Sequence, residues 1–267
     1  MSGHKFPPEP GSDGFERIRR AAQQPPRAAR EPLVVAGVAC GSLEPALGER
    51  LLAAGLPLRR HADGWTVLGP VDAAFEAIAR WLHAQRLGGR WRDEALAVVA
   101  ADGAPVGRIE RAAVRPLGIA TRAVHLVGAT PSGEVWIQQR AFDKAVDPGR
   151  WDTLMGGMVG AEETIDQTLE RETWEEAGLR LVQLRDLGHF GRTRVRRPVS
   201  DGYMVEHIDM FEACVPEGIA PANQDGEVER FDRVGLEALG EKLARGDFTV
   251  EAALVLAHWL RRPGRRG

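Results

Sequence analysis

Between Gly157 and Leu179 the chain reads GMVGAEETIDQTLERETWEEAGL. Thr164 with Gln167 three residues on makes a capping box, and Gly178 stands where a left-handed residue stops a helix, so the stretch predicts a helix from Ile165 to Ala177. With 3.6 residues per turn, Ile165, Leu169, Glu172 and Glu176 fall within roughly 40° of one another. Two carboxylates therefore continue an apolar stripe. Glu175 flanks them, and all three crowd the last turns, where the helix macrodipole is already negative. Apposed acids without a cation raise one another's pKa, and oxygen ligands from several carboxylates suit a hard divalent ion. The fold has to give this helix end a cleft and a cation.

Three helical glutamates alone describe a solvated face. The spacing is more informative: Gly157, Glu163, Arg171, Glu172, Glu175, Glu176 and Gly178 would coincide by chance on the order of once in 10⁸ positions. This pattern resembles the signature of the Nudix hydrolases, G-x5-E-x7-R-E-U-x-E-E-x-G-U with U aliphatic. Thr173 departs from it, standing at an aliphatic position with a shape close to valine.

The rest of the chain reads as ordinary and globular: 267 residues, 43% hydrophobic, net charge −3, long enough for one large domain or two modest ones. Its basic residues are nearly all arginine and form no aromatic-interleaved stripe, which argues against a nucleic-acid partner. Cys40 and Cys214 belong to no CxxC pair and read as small apolar residues in a reducing compartment. No signal-like start and no run of about 18 apolar residues is seen, so the expectation is a cytoplasmic protein without a membrane partner.

In order, residues 1–14 are expected to be disordered and residues 15–114 to form a small α+β domain. That domain reads as a basic helix Phe15 to Gln24, an apolar run Leu33 to Ala39, helices Leu43 to Ala54 and Ala73 to Gln85, and strands Trp65 to Leu68, Ala95 to Ala101 and Val106 to Ile109, the last two joined by a turn at Asp102 and Gly103. Residues 115–262 form the second domain, with strands Ala123 to Ala129, Val135 to Gln139, Leu179 to Leu187, His207 to Val215 and Phe231 to Val234. Its later helices are Leu236 to Arg245 and Val250 to Leu260, and residues 263–267 are a tail. The fold class is α/β: the resemblance implies an α/β/α sandwich, a mixed sheet with a catalytic loop and helix, preceded by the α+β domain.

The resemblance also implies a chemistry, hydrolysis of a phosphoanhydride in a small-molecule diphosphate. Glu172, Glu175 and Glu176, with the carbonyl of Gly156, would hold Mg²⁺, with Mn²⁺ as the alternative. Arg171 would orient the carboxylates, and Glu163 would position Glu172 or a metal-bound water. The base is Glu172 or a loop glutamate, Glu227 or Glu229. Arg140 and Lys144, just ahead of the motif, read as phosphate-gripping cations. His125 is a half-core histidine or a ligand; Trp136 and Trp151 pack in the core or stack on a heterocycle.

Within the family the chain is similar to a subgroup with an N-terminal domain of unknown function, related to thiamine pyrophosphokinase. The marks are His125 and Leu126, Trp136 to Arg140, Lys144, Pro148 to Asp152, the loop Pro221 to Glu229 with Asn223 and Asp225, and Gly246 to Phe248. The subgroup implies thiamine diphosphate, or its oxo and oxy derivatives, as substrate, with Asn223 and Asp225 among the substrate-binding residues and room for a homodimer. The alternative is a nucleoside diphosphate derivative. A non-catalytic Nudix module would have lost motif acids, and an isopentenyl diphosphate isomerase needs a cysteine near His-Pro that this chain lacks.

Overall fold

A computed structural model describes residues 12–100 and 103–262. The chain begins with helix α1 (Ser12–Ala22), strands β1 (Glu31–Val35) and β2 (Val38–Leu43), helix α2 (Pro45–Ala53), strands β3 (Leu58–His61) and β4 (Gly64–Val67), helix α3 (Val71–Ala84) and a two-stranded ribbon, β5 (Ala95–Val99) and β6 (Pro105–Glu110). There follow β7 (Ala120–Ala129), β8 (Val135–Arg140), β9 (Trp151–Asp152), β10 (Met155–Met158), α4 (Ile165–Ala177), β11 (Arg185–Val199), β12 (Gly202–Cys214), β13 (Val228–Val234), α5 (Leu236–Arg245) and α6 (Val250–Leu260). Among the described residues no helix is long and apolar enough to cross a membrane.

The larger sheet runs β11-β12-β7-β8-β13, with β10 on β7 and β9 on β8. It is mixed, since β12 lies parallel to β7 while the other pairs are antiparallel. Alternation along β7 explains the layers: Val124 and Leu126 pack with Leu169 and Ala177 of α4, whereas Ala123 and Val127 pack with Leu256 and Ala257 of α6. The sheet is thus covered on both faces. Ile18 and Ala22 of α1 join the α6 side.

The second sheet runs β2-β1-β4-β3 and buries Leu33, Trp65, Phe75 and Ile78 in its own core. The β5–β6 ribbon ties the two halves together, with Ala161 N donating to Ala95 O at 3.0 Å just ahead of α4.

Helices α4, α5 and α6 lie as expected. The apolar run Leu33 to Ala39 is two strands, because Ala36 and Gly37 both take positive φ, 48° and 83°, in a two-residue hairpin turn. The expected strand Leu179 to Leu187 is instead a 3₁₀ turn at Leu181–Gln183 followed by the long strand β11. Its exposed arginines Arg192, Arg194 and Arg196 concealed the strand pattern while suiting it to a sheet edge. Strand β3, with three exposed residues of four, was equally hidden. Residues 1–11, Asp102 and residues 263–267, where disorder, a turn and a tail are expected, lie outside the described residues; Ser12 to Gly14 open α1.

Candidate active site

The cap of α4 fixes the site. Thr164 accepts from Gln167 N while Gln167 accepts from Thr164 N, and Gly178 ends the helix at φ 63°. Along the helix Leu169 is 2% exposed and Glu176 3%, so an acid occupies a core position. Glu176 Oε2 accepts from Gln138 Nε2 at 2.8 Å and from Gly156 N at 2.9 Å. Burial, with Glu172 beside it, nevertheless pushes Glu176 up to about 8. Glu172 is pushed up to about 7 by burial, with Glu175 and Glu227 adding and Arg171 opposing.

Arg171 is the organiser. Its guanidinium grips Glu163 at 2.6 and 2.7 Å, Glu172 Oε1 at 2.8 Å and Glu175 Oε2 at 2.9 Å. Glu163 also accepts from Gly160 N at 3.1 Å and Thr168 Oγ1 at 2.9 Å, and the Arg171 bonds above all hold it down to about 2. Glu163 therefore anchors Arg171 as a permanent anion.

Glu172 and Glu176 line a cleft of about 350 Å³ together with Gly156, Gly157, His125, Asp152, Arg140, Lys144 and Glu227. That volume lies at the lower end of the usual range for small-molecule sites. Glu175 does not line it and is turned to Arg171. Among the described residues no three histidine, cysteine or acid side chains converge to hold an ion. The pair Glu172 and Glu176 still suits a hard cation: both are oxygen donors, Glu176 is buried and Glu172 half-buried, and of the two only Glu172 has an ion-pair partner, Arg171. Gly156, whose carbonyl the resemblance assigns to the metal, lines the cleft with its N–H engaged by Glu176.

His125 is 5% exposed and bonds Thr153 Oγ1 through Nδ1 at 2.9 Å. Thr153 donates its own proton to Met155 O at 2.8 Å, so Nδ1 carries the imidazole hydrogen. Burial lowers the His125 pKa and keeps the ring neutral. Arg140 holds Val146 O at 3.2 Å and lies 3.7 Å from Asp152. Lys144 pairs with Glu227. Burial opposes the charge of Glu227, but the bond and charge of Lys144, helped by Arg92 and Arg111, hold it below the usual carboxylate range.

Asn223 and Asp225 do not line the cleft. Asn223 Oδ1 accepts from Asp225 N and Gly226 N, and Asp225 Oδ1 accepts from Glu227 N at 2.8 Å, so the two fold the loop that carries Glu227. Glu229 is exposed. Trp151 is 6% exposed beneath Arg230 and Lys242 and is a core residue. Trp136 is partly buried against the α4 core under Arg233, and it too is absent from the cleft lining.

Sequence reasoning missed the far wall. Gly88, Gly89, Arg90, Arg92, Arg111 and Arg115, all N-terminal to β7, face the cleft, as do Arg197, Glu206 and Glu251. Glu206 carried a usable signal: it interrupts the buried alternation Met204, Ile208, Met210 of β12.

The NUDIX domain description matches residues 119–255. An uncharacterized Nudix hydrolase of Pseudomonas aeruginosa is 40% identical over 86 residues, covering 32% of this chain and 51% of that protein. An uncharacterized protein of Saccharomyces cerevisiae is 28% identical over 192 residues, 65% of this chain and 56% of that one. An isopentenyl-diphosphate Delta-isomerase of Rhodobacter capsulatus is 31% identical over 143 residues, 52% of this chain and 76% of that enzyme. The chain spans about half the length of the first two relatives.

Proposed function

Because the chain belongs to the Nudix family, we propose that it is a Mg²⁺-dependent hydrolase that splits the phosphoanhydride of a small organic diphosphate. The observation that carries this reading is the pair Glu172, half-buried, and Glu176, buried, facing one cleft with Arg140, Lys144 and Arg92. Glu172 and Glu176 would hold the ion, which when bound screens the phosphate oxygens and acidifies water. Arg140 and Lys144 bind phosphate oxygens. Arg171 holds one oxygen of Glu172, leaving the other to take the proton of the attacking water. Glu227 is a poorer acceptor at neutral pH, since its pKa is lowered, and it serves to position Lys144. Water adds to phosphorus, the anhydride oxygen leaves, and a monophosphate and phosphate result.

The leading substrate is thiamine diphosphate or an oxo or oxy derivative, supported by the subgroup marks from His125 to Phe248. A nucleoside diphosphate derivative is the second reading, favoured by the breadth of a motif that recognises only metal and diphosphate. An isomerase reading has less support: Cys40 lies in the N-terminal core and Cys214 closes β12, and neither lines the cleft. The test is phosphate release with Mg²⁺ over thiamine diphosphate, its oxo and oxy analogues, ADP and ADP-ribose, for wild type and Glu176→Gln. Metal-dependent turnover that Glu176→Gln abolishes is expected; no turnover of any diphosphate by the wild type would overturn the reading.

A further inference from the structure

The end of the cleft away from Glu172 is built differently from the phosphate end. On β12, Met204, Ile208 and Met210 face the α6 side of the sheet and are buried, and Glu206 takes the position between them at 8% exposure. An isolated carboxylate there is unfavourable for folding alone, where valine or isoleucine would serve. Its one hydrogen-bond donor among the described residues is Thr121 Oγ1, 3.3 Å from Oε1 and also 3.3 Å from Val205 O, so a single hydroxyl proton is shared between two acceptors. Oε2 has no donor at all among the described residues. Glu206 nonetheless lines the cleft, with Glu251 from the first turn of α6 lining it too.

Neighbouring cations are engaged elsewhere. Arg197 lies between Glu251, at 3.3 Å, and Asp147, at 3.4 Å. Arg115 pairs with Asp201 at 3.4 Å and Arg111 with Glu94 at 2.7 Å. Glu206 has no ion-pair partner among the described residues, and burial, with Glu251 nearby, pushes it up to about 7 against the charges of Arg115 and Arg111. The cleft wall thus carries both signs: Arg140, Lys144 and Arg92 on one part, and on another a buried carboxylate that Arg115 and Arg111 offset only in part.

We infer that Glu206, backed by Glu251, is the specificity site for the organic part of the substrate and selects a cationic, nitrogen-bearing headgroup. This rests on the diphosphate-hydrolase reading above. A ligand that joins a positive ring or amine to a diphosphate satisfies both, because a cation is attracted to a buried carboxylate more strongly than in water, and a protonated amine adds a charge-assisted hydrogen bond. Met204, Ala123 and Val114 supply apolar walls beside it. A neutral base with an exocyclic amine donates to Glu206 but leaves its charge unbalanced.

The experiment compares kcat/KM for thiamine diphosphate, which carries a cationic ring, with that for ADP, whose base is neutral, in wild type and in Glu206→Gln and Glu251→Gln. The expected result is that Glu206→Gln lowers the ratio of the two at least about tenfold, mostly through KM, and that unphosphorylated thiamine raises the melting temperature of wild type more than that of the variant. A ratio that falls by less than about threefold overturns the assignment. The thermal-shift arm needs no turnover. Hydrolysis of neither diphosphate by wild type would remove the hydrolase reading while leaving the headgroup site to be judged by thiamine binding.

Discussion

Gly157 lies directly beneath Glu172: a Cβ built on Gly157 would stand 1.9 Å from the carboxyl carbon of Glu172. The glycine is required by proximity, not by backbone strain, since the obstructing atoms belong to the end of a flexible side chain. Gly157→Ala therefore moves the carboxylate more easily than it moves the fold. We expect kcat/KM to fall by about 10²-fold, the usual consequence of a catalytic group displaced by an ångström, while the melting temperature shifts by only about 2–4 °C. Activity retained within a few-fold would show that Glu172 is not the proton acceptor.

Thr173 departs from the aliphatic consensus, and the structure shows what the departure entails. The residue is fully buried and its Oγ1 has no hydrogen-bond partner. A buried unsatisfied hydroxyl is destabilising, and valine has nearly the same shape. Thr173→Val should raise stability by about 1 kcal/mol, read as a shift in the denaturant midpoint at unchanged slope. A loss of stability would mean that the hydroxyl has a partner in solution.

The helix was legible because its cap, its terminal glycine and its acid spacing all point to one register, and Ile165–Ala177 is what forms. Glu163, read from the same motif as positioning Glu172 or a metal-bound water, instead grips Arg171, which in turn holds Glu172. The far wall was not legible, because Arg92, Arg111 and Arg115 reach the cleft only through the docking of the β5–β6 ribbon on the loop before α4, a contact without local periodicity. Asn223 and Asp225 show the converse: their place in a family motif suggested ligand contact, whereas their side chains are used in closing a turn. Glu206 was overlooked because an acid in one strand position looks like any polar residue until its neighbours two away prove buried.

Glu163 gives the acid limb of stability a specific source. Its carboxyl is depressed from 4.5 to about 2 by Arg171 first, against the burial penalty that comes second. A depressed acid stabilises the fold above its unfolded pKa and loses that contribution as pH falls through the folded one, here between about 4.5 and 2. With the side chain 26% exposed, the contribution is on the order of 1–3 kcal/mol after allowance for solvent screening. Glu163→Gln should be destabilised by that amount at pH 7 and approach wild type as pH falls to about 2, as measured by urea unfolding. An equal gap at both values would assign the loss to packing.

Glu206 predicts the opposite slope. Its carboxyl is raised from 4.5 to about 7 by burial first and by Glu251 second. Below about 4.5 both folded and unfolded chains hold the proton, and the group contributes nothing. As pH rises from 4.5 to 7 the unfolded chain ionises first, so stability is lost, and above 7 the full penalty persists. Glutamine keeps the acceptor for Thr121 without the charge. The ligand-free Glu206→Gln protein should therefore match wild type at pH 4 and exceed it at pH 8 by on the order of 1–3 kcal/mol, a gain of the kind expected when an acid is retained for binding at the expense of the fold. Urea melts at the two pH values check it, and a variant less stable than wild type at pH 8 would mean that a cation of the protein itself already balances Glu206.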